Sequence, residues 1–122
     1  MLMLRLMRDG DHIPEIEKQQ APGDLFYLAL NGEELLGYCR FRRGKETVYL
    51  TQVVDHGDPS LGDGLIRAAL AYAMDGGVDR AVFGDFVDMG RYARFGYRLD
   101  EENCIKSISD FLNNCQGCKT ES

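Results

Sequence analysis

The main change in the period of apolar and polar positions along this chain falls after Val54, and it divides the chain. Up to Val54 they alternate in short runs separated by turn residues: Met1–Met7 before Asp9-Gly10-Asp11, then Leu25–Leu30, Glu34–Phe41 and Glu46–Val54. Period-two runs rich in β-branched and aromatic residues predict strands. Asn31-Gly32 is a hairpin signal, and Arg43-Gly44-Lys45 marks a second turn, so the last three runs form an antiparallel meander. Between the first strand and the meander, His12–Gln20 carries Ile13 and Ile16 among charges with Pro14 suited to a first helical turn, and Ala21-Pro22-Gly23 ends it. One short helix is expected there.

From Leu61 to Asp75 the spacing lengthens. Leu65, Ala69 and Ala73 line one stripe with Ile66, Leu70 and Met74 beside it, and Gly76-Gly77 supplies the stop; this is an amphipathic helix. Asp79–Asp85 then predicts a short strand centred on Ala81-Val82-Phe83, which pairs in parallel with a neighbour because it follows a crossover helix. Val87–Phe95 reads as a shorter helix ending at Gly96, Tyr97–Leu99 and Ile105–Ile108 as the last strands, and Ser109–Asn114 as a capped helical turn. The expectation is one α/β domain over residues 1–122, a mixed, mostly antiparallel twisted sheet flanked by helices, with 115–122 a mobile tail.

A net charge of −6 argues against a general nucleic-acid binder, which neutralises phosphates with Lys and Arg. No apolar run is long enough for a membrane span. The opening MLMLRLMRDG is too short for a signal-peptide core and has no small-residue cleavage site, which makes a cytoplasmic location the expectation. Cys39, Cys104, Cys115 and Cys118 are then simplest as free thiols. A metal or redox role for Cys115-Gln116-Gly117-Cys118 lacks supporting ligand spacing.

The chemistry concentrates between Val53 and Leu70, where a strand end runs through a polar turn containing Gly62 and Gly64 into the amphipathic helix. Glycines there admit a close ligand, and the free N–H groups and dipole of a helix start suit a phosphate.

Val54-Asp55 followed by Gly62-Asp63-Gly64, and Tyr92-Ala93-Arg94-Phe95-Gly96-Tyr97 further on, together resemble the GCN5-related N-acetyltransferase (GNAT) family. The resemblance covers roughly Leu25 to Leu99. It implies the GNAT acyl-CoA N-acyltransferase fold and transfer of an acetyl group from acetyl-CoA to an amine acceptor. It places the cofactor against the strand end at Val53 and Val54, against the turn Ser60, Leu61, Gly62, Asp63 and Gly64, and beside Asp85 and Arg91. Tyr92 would protonate the departing thiolate, a backbone N–H near Val54 would hold the thioester oxygen, and Asp55 or His56 would act as base. Pro59 stands where the family has Arg or Gln, Asp85 where it often has Asn, and the N-terminal region has room for about one helix rather than two. These departures keep open a non-catalytic module for acyl-CoA sensing or protein association. An uncovered sheet edge invites a homodimer.

Overall fold

The computed structural model describes residues 1–113. Its alternating segments assemble into one sheet whose six strands stand in chain order. These are β1 (Leu2–Leu6), β2 (Leu25–Asn31), β3 (Glu34–Arg43), β4 (Thr47–Val54), β5 (Arg80–Phe83) and β6 (Cys104–Ile105). Short connections make β2, β3 and β4 an antiparallel meander, and β1 joins β2 antiparallel as well. Among the described residues only β4 and β5 run parallel, because helix α2 (Pro59–Asp75) carries the chain back along the sheet between them. The β2–β3 hairpin pairs Asn31 with Glu34, so its central residues are Gly32 and Glu33, with Gly32 at φ 65°.

The two faces are covered unequally. On one, α2 buries Leu65, Ile66, Ala69, Leu70 and Ala73 against Ala29, Cys39, Phe41, Val48, Leu50, Ala81 and Phe83. Each large aliphatic side chain placed there contributes about 1.5–3 kcal/mol. On the other, α1 (Pro14–Glu17) is a single turn whose Ile16 plugs into Phe26, Leu28, Leu30 and Tyr38. The expected span of His12–Gln20 shrinks to that turn. Beyond it, the β3–β4 part of this face has no helix over it among the described residues, and Tyr49 stays exposed.

Several boundaries differ from expectation. Helix α2 starts at Pro59, before Leu61: Asp58 is its N-cap, accepting from the Leu61 amide at 3.3 Å, and proline is favoured in a first turn. Val87–Phe95 narrows to a 3₁₀ helix, Met89–Phe95, closed by Gly96 at φ 93°. Tyr97–Leu99 is not a strand. The Tyr97 ring instead stacks on Phe111 of α3 (Ile108–Asn113), with centroids 4.8 Å apart, and its hydroxyl donates to Asp63 at 2.7 Å. The last strand among the described residues is only Cys104–Ile105, since the Ile108 N–H instead donates to the Asp79 carbonyl on the way into α3. Cys39 and Cys104 are buried free thiols; the pair Cys115 and Cys118 lies outside the described residues. No helix among the described residues is long and apolar enough to cross a membrane.

Candidate functional site

Strands β4 and β5 part company halfway along β4. Their ladder runs from Thr47↔Arg80 to Leu50↔Phe83, and a last bond goes from the Gly84 amide to the Leu50 carbonyl at 2.8 Å. At this point β4 carries a bulge: Arg40 faces Gln52 and Phe41 faces Leu50, which leaves Thr51 as the extra residue. Its hydroxyl is tied to the Arg40 carbonyl at 3.1 Å. A bulge increases twist and re-aims the strand, so Gln52–Val54 continue without a partner on the β5 side. Gly37 on β3 lies so close to the Val54 carbonyl that a Cβ would collide with it. Val54 therefore turns its peptide groups toward β3, and by strand alternation Val53 turns its N–H and C=O into the gap.

The gap ends at a buried polar cluster. Asp55 is the first residue beyond β4, and both its carboxylate oxygens are occupied. Oδ1 accepts from Arg91 Nη2 at 2.8 Å and from the Gly57 amide at 3.1 Å; Oδ2 accepts from Arg91 Nε at 2.9 Å and from the Tyr92 hydroxyl at 2.7 Å. The Arg91 fork, helped by Tyr92 and Gly57 and outweighing burial, holds the Asp55 carboxyl down at about 2. Burial, and then the neighbouring carboxylate, push the Tyr92 phenol well above its usual value. Tyr92 is only 2% exposed. Gly62 on α2 closes the cluster from above: a Cβ there would stand 2.5 Å from the Tyr92 hydroxyl, 2.7 Å from its Cε1 and 2.8 Å from Asp55 Oδ2.

Several residues singled out in the sequence thus meet at one place, and others do not. Tyr92, Asp55, Arg91 and Gly62 converge, with Val53 along the adjoining strand. Arg91 spends its fork on Asp55 rather than reaching outward. His56 sits in the turn after β4, exposed, at φ 50°. Asp85 is exposed on the loop after β5. The phosphate turn takes a different form from the expected loop, because Leu61, Gly62, Asp63 and Gly64 already belong to α2. The Leu61 and Gly62 amides bond the Asp58 carbonyl at 3.0 and 3.1 Å, Pro59 has no N–H, and Ser60 has the one first-turn amide without a partner among the described residues. The Asp63 side chain turns to Arg67 at 3.0 Å and to Tyr97. Gly64 meets only Leu4 at ordinary distance.

On the face left bare by α1, the same stretch of β4 borders a cleft of about 640 Å³ with Asp24, Arg40, Arg42 and Phe86 around it. Nothing in the hydrophobic pattern marked this cleft. Arg40 and Arg42 alternate with Phe41 on β3, and that spacing places both on one face, but their convergence on Asp24 crosses a loop.

A parallel strand pair that splays at a bulge beside a helix start, within a meander-first mixed sheet, defines the GNAT fold, and this chain has it. Solved structures agree. A GNAT family acetyltransferase from Elizabethkingia anophelis with acetyl-CoA bound superposes with a TM-score of 0.64 at 18% identity, over 82% of this chain and 78% of that one. A protein from Exiguobacterium, provisionally described as an acetyltransferase, gives 0.64 at 14% identity over 93% and 97%. The ribosomal-protein-S18-alanine N-acetyltransferase of Escherichia coli gives 0.60 at 14% identity over 82% and 79%. No known family profile matches the sequence, and no curated protein matches it.

Proposed function

We propose that the protein is an acyl-CoA-dependent N-acetyltransferase that uses the gap between β4 and β5. The observation that carries this reading is the exposed backbone edge of Val53, which the Thr51 bulge turns into a gap ending at Tyr92. An edge of unbonded peptide groups is costly inside a protein and is retained where a ligand completes it. When bound, acetyl-CoA supplies an activated carbonyl to which an amine forms a C–N bond as the C–S bond breaks; the nitrogen gives up one proton and the thiolate takes one. Val53 holds the oxygen that gains charge, acting as a preorganised donor. Tyr92 holds the proton for the leaving group. Asp55 is a positioning residue: with both oxygens engaged and its carboxyl at about 2, it is too weak a base to take a proton from an amine and instead fixes the phenol's orientation. His56, exposed beyond the strand end, is the remaining candidate base in this turn. The fit is weakest at the phosphate end, where Ser60 alone offers a first-turn amide and the Asp58 carboxylate occupies the cap.

That mismatch favours a second reading, a GNAT-fold module that binds a partner or an acyl-CoA without turnover. Tyr92, buried and bonded to Asp55, has to exchange that bond before it serves a thiolate. Calorimetric titration with acetyl-CoA and with CoA tests the cofactor site, and a turnover assay with amine acceptors on the same sample separates the transferase from a module that binds acyl-CoA without reacting it. Micromolar binding of both supports the cofactor site, and Tyr92→Phe then lowers turnover by ten-fold or more (about 1.4 kcal/mol of transition-state stabilisation) with acetyl-CoA affinity preserved. Unchanged turnover in that variant removes Tyr92 from the chemistry; absence of binding up to millimolar concentration leaves the non-catalytic module.

A further inference from the structure

The cleft beside Thr51–Val53 has a charge of its own. Asp24 has a side chain 1% exposed and accepts from Arg40 Nη2 at 2.6 Å, Arg40 Nε at 2.9 Å, Arg42 Nε at 2.8 Å and the Ala21 amide at 2.9 Å. Burial opposes ionisation of Asp24, but the Ala21 amide and the guanidinium groups outweigh it and hold the carboxyl below its ordinary range. One carboxylate thus faces two guanidinium groups, so the cleft carries a net positive charge within an acidic protein.

The donors are as telling as the charge. Arg40 commits Nε and Nη2, the latter also to the Gln19 carbonyl at 3.1 Å, and Arg42 commits only Nε. Neither Nη of Arg42 nor Nη1 of Arg40 has a hydrogen-bond partner among the described residues. Asp24 holds Arg40 by Nε and Nη2 but Arg42 by Nε alone, which leaves the outer edge of Arg42 as a fork. Its side chain is 48% exposed. A planar fork of N–H donors, fixed from behind and open in front, matches the geometry of a carboxylate. Arg40 stands opposite Gln52 in the β3–β4 register, next to the bulge, so an anion held here lies beside the strand segment that borders the gap. Phe86, 90% exposed, adds apolar surface at the rim. The overall charge of −6 does not abolish this attraction, since distant charges are screened beyond about 8 Å at physiological salt.

We propose that this cleft is the acceptor site and that it selects amines carrying a carboxylate, of the amino-acid class, by pairing that carboxylate with Arg42 and Arg40. The assignment rests on the acetyltransferase reading for the word acceptor, while the carboxylate site itself stands on the arginine geometry. Two sources supply the same chemistry: an α-carboxylate in a free amino acid and a side-chain carboxylate in an acidic peptide.

The test is an NMR titration of the isotope-labelled protein with L-amino acids, with their α-amides, and with C-terminally amidated dipeptides containing Glu or Asp. Wild type is expected to show shifts at Thr51, Gln52, Val53 and the Arg42 side chain with carboxylates, and binding at least about ten-fold weaker for the amides of neutral residues. The acidic dipeptides distinguish the side-chain source from the α-carboxylate source. Arg42→Gln is expected to erase the preference and Arg42→Lys to restore only part of it. Equal binding of carboxylates and amides, or a preference that survives Arg42→Gln, overturns the proposal. Calorimetry with acetyl-CoA on the same sample keeps the two claims apart: carboxylate preference without acetyl-CoA binding refutes the transferase reading alone, and acetyl-CoA binding without carboxylate preference refutes this one alone.

Discussion

Gly62 and Gly64 lie two residues apart in the first turns of α2, and the structure gives substitution by alanine opposite signs at the two positions. At Gly62 the added Cβ meets the Tyr92 hydroxyl, the Tyr92 ring and Asp55 Oδ2 at 2.5, 2.7 and 2.8 Å. None of these atoms can withdraw freely, because Tyr92 is buried and the carboxylate is held by the Arg91 fork. Overpacking a site of this kind costs about 1–3 kcal/mol, and its rigidity puts Gly62→Ala in the upper part of that range. Better helix propensity returns at most about 1 kcal/mol. The expected net loss is about 1–2 kcal/mol. At Gly64 the nearest atom to the new Cβ is Leu4 Cδ1 at 3.7 Å, an ordinary contact, so Gly64→Ala keeps the propensity gain of about 0.5–1 kcal/mol. The two variants are therefore separated by about 1.5–3 kcal/mol. With urea slopes of about 1–3 kcal/mol/M, their unfolding midpoints should differ by about 0.5–3 M. Movement of both midpoints in the same direction would refute the close approach of α2 to Tyr92. The outcome also governs how Gly62 variants are read in binding assays: weakened acetyl-CoA affinity in Gly62→Val reports displacement of Tyr92 as readily as crowding of a phosphate.

Three further perturbations follow from the same geometry. Asp55 is depressed from 3.8 to about 2, so its contribution of about 2 kcal/mol is present above pH 4 and lost as pH falls toward 2. Asp55→Asn should show a correspondingly flatter acid limb in pH-dependent urea unfolding, and an unchanged limb would place the acid sensitivity elsewhere. Asp58→Asn keeps the helix cap but removes the charge at the helix start, and should tighten CoA binding by about two- to five-fold in calorimetry; unaltered or weaker affinity would mean that the phosphates bind away from this helix. Arg67 spans α2, the 3₁₀ helix and α3 by bonding Asp63 and the Phe95 carbonyl, the latter at 2.7 Å, beneath Tyr97 and Phe111. Arg67→Lys should cost about 1–2 kcal/mol in chemical unfolding, because an ammonium cannot reproduce the fork; no loss would make the contact incidental.

The sheet was legible in the sequence because its signals are local. Alternation, the glycine turn before Glu34 and the helical stripe of Leu65, Ala69 and Ala73 each act within a few residues. The start of α2 was legible too, in Asp58-Pro59, but the glycines drew the boundary toward Leu61. What escaped depends on distant partners. Gly62 reads as a ligand cradle until Tyr92 is packed against it, and Tyr97 reads as a strand residue until Asp63, Phe111 and Arg67 are found around its ring. The Tyr92 motif and Asp55 were both singled out, whereas their direct bond across 37 residues leaves no periodic trace. Arg40 and Arg42 had no sequence signal of function beyond their spacing, since it takes Asp24 to fix them as a fork.

The chain order of the strands bears on how the protein folds. Each hairpin from β2 to β4 closes over only a few residues, and such closures are fast. The longest connection is β4 to β5, where all of α2 intervenes, and the entropy of that closure must be met before any contact compensates for it. Docking of β5 and the 3₁₀ helix is therefore the step that brings Tyr92 to Asp55. The β4–β5 gap does not exist in the early meander. A chain in which the β4–β5 closure has not formed thus lacks the site, and any activity reports completion of that closure.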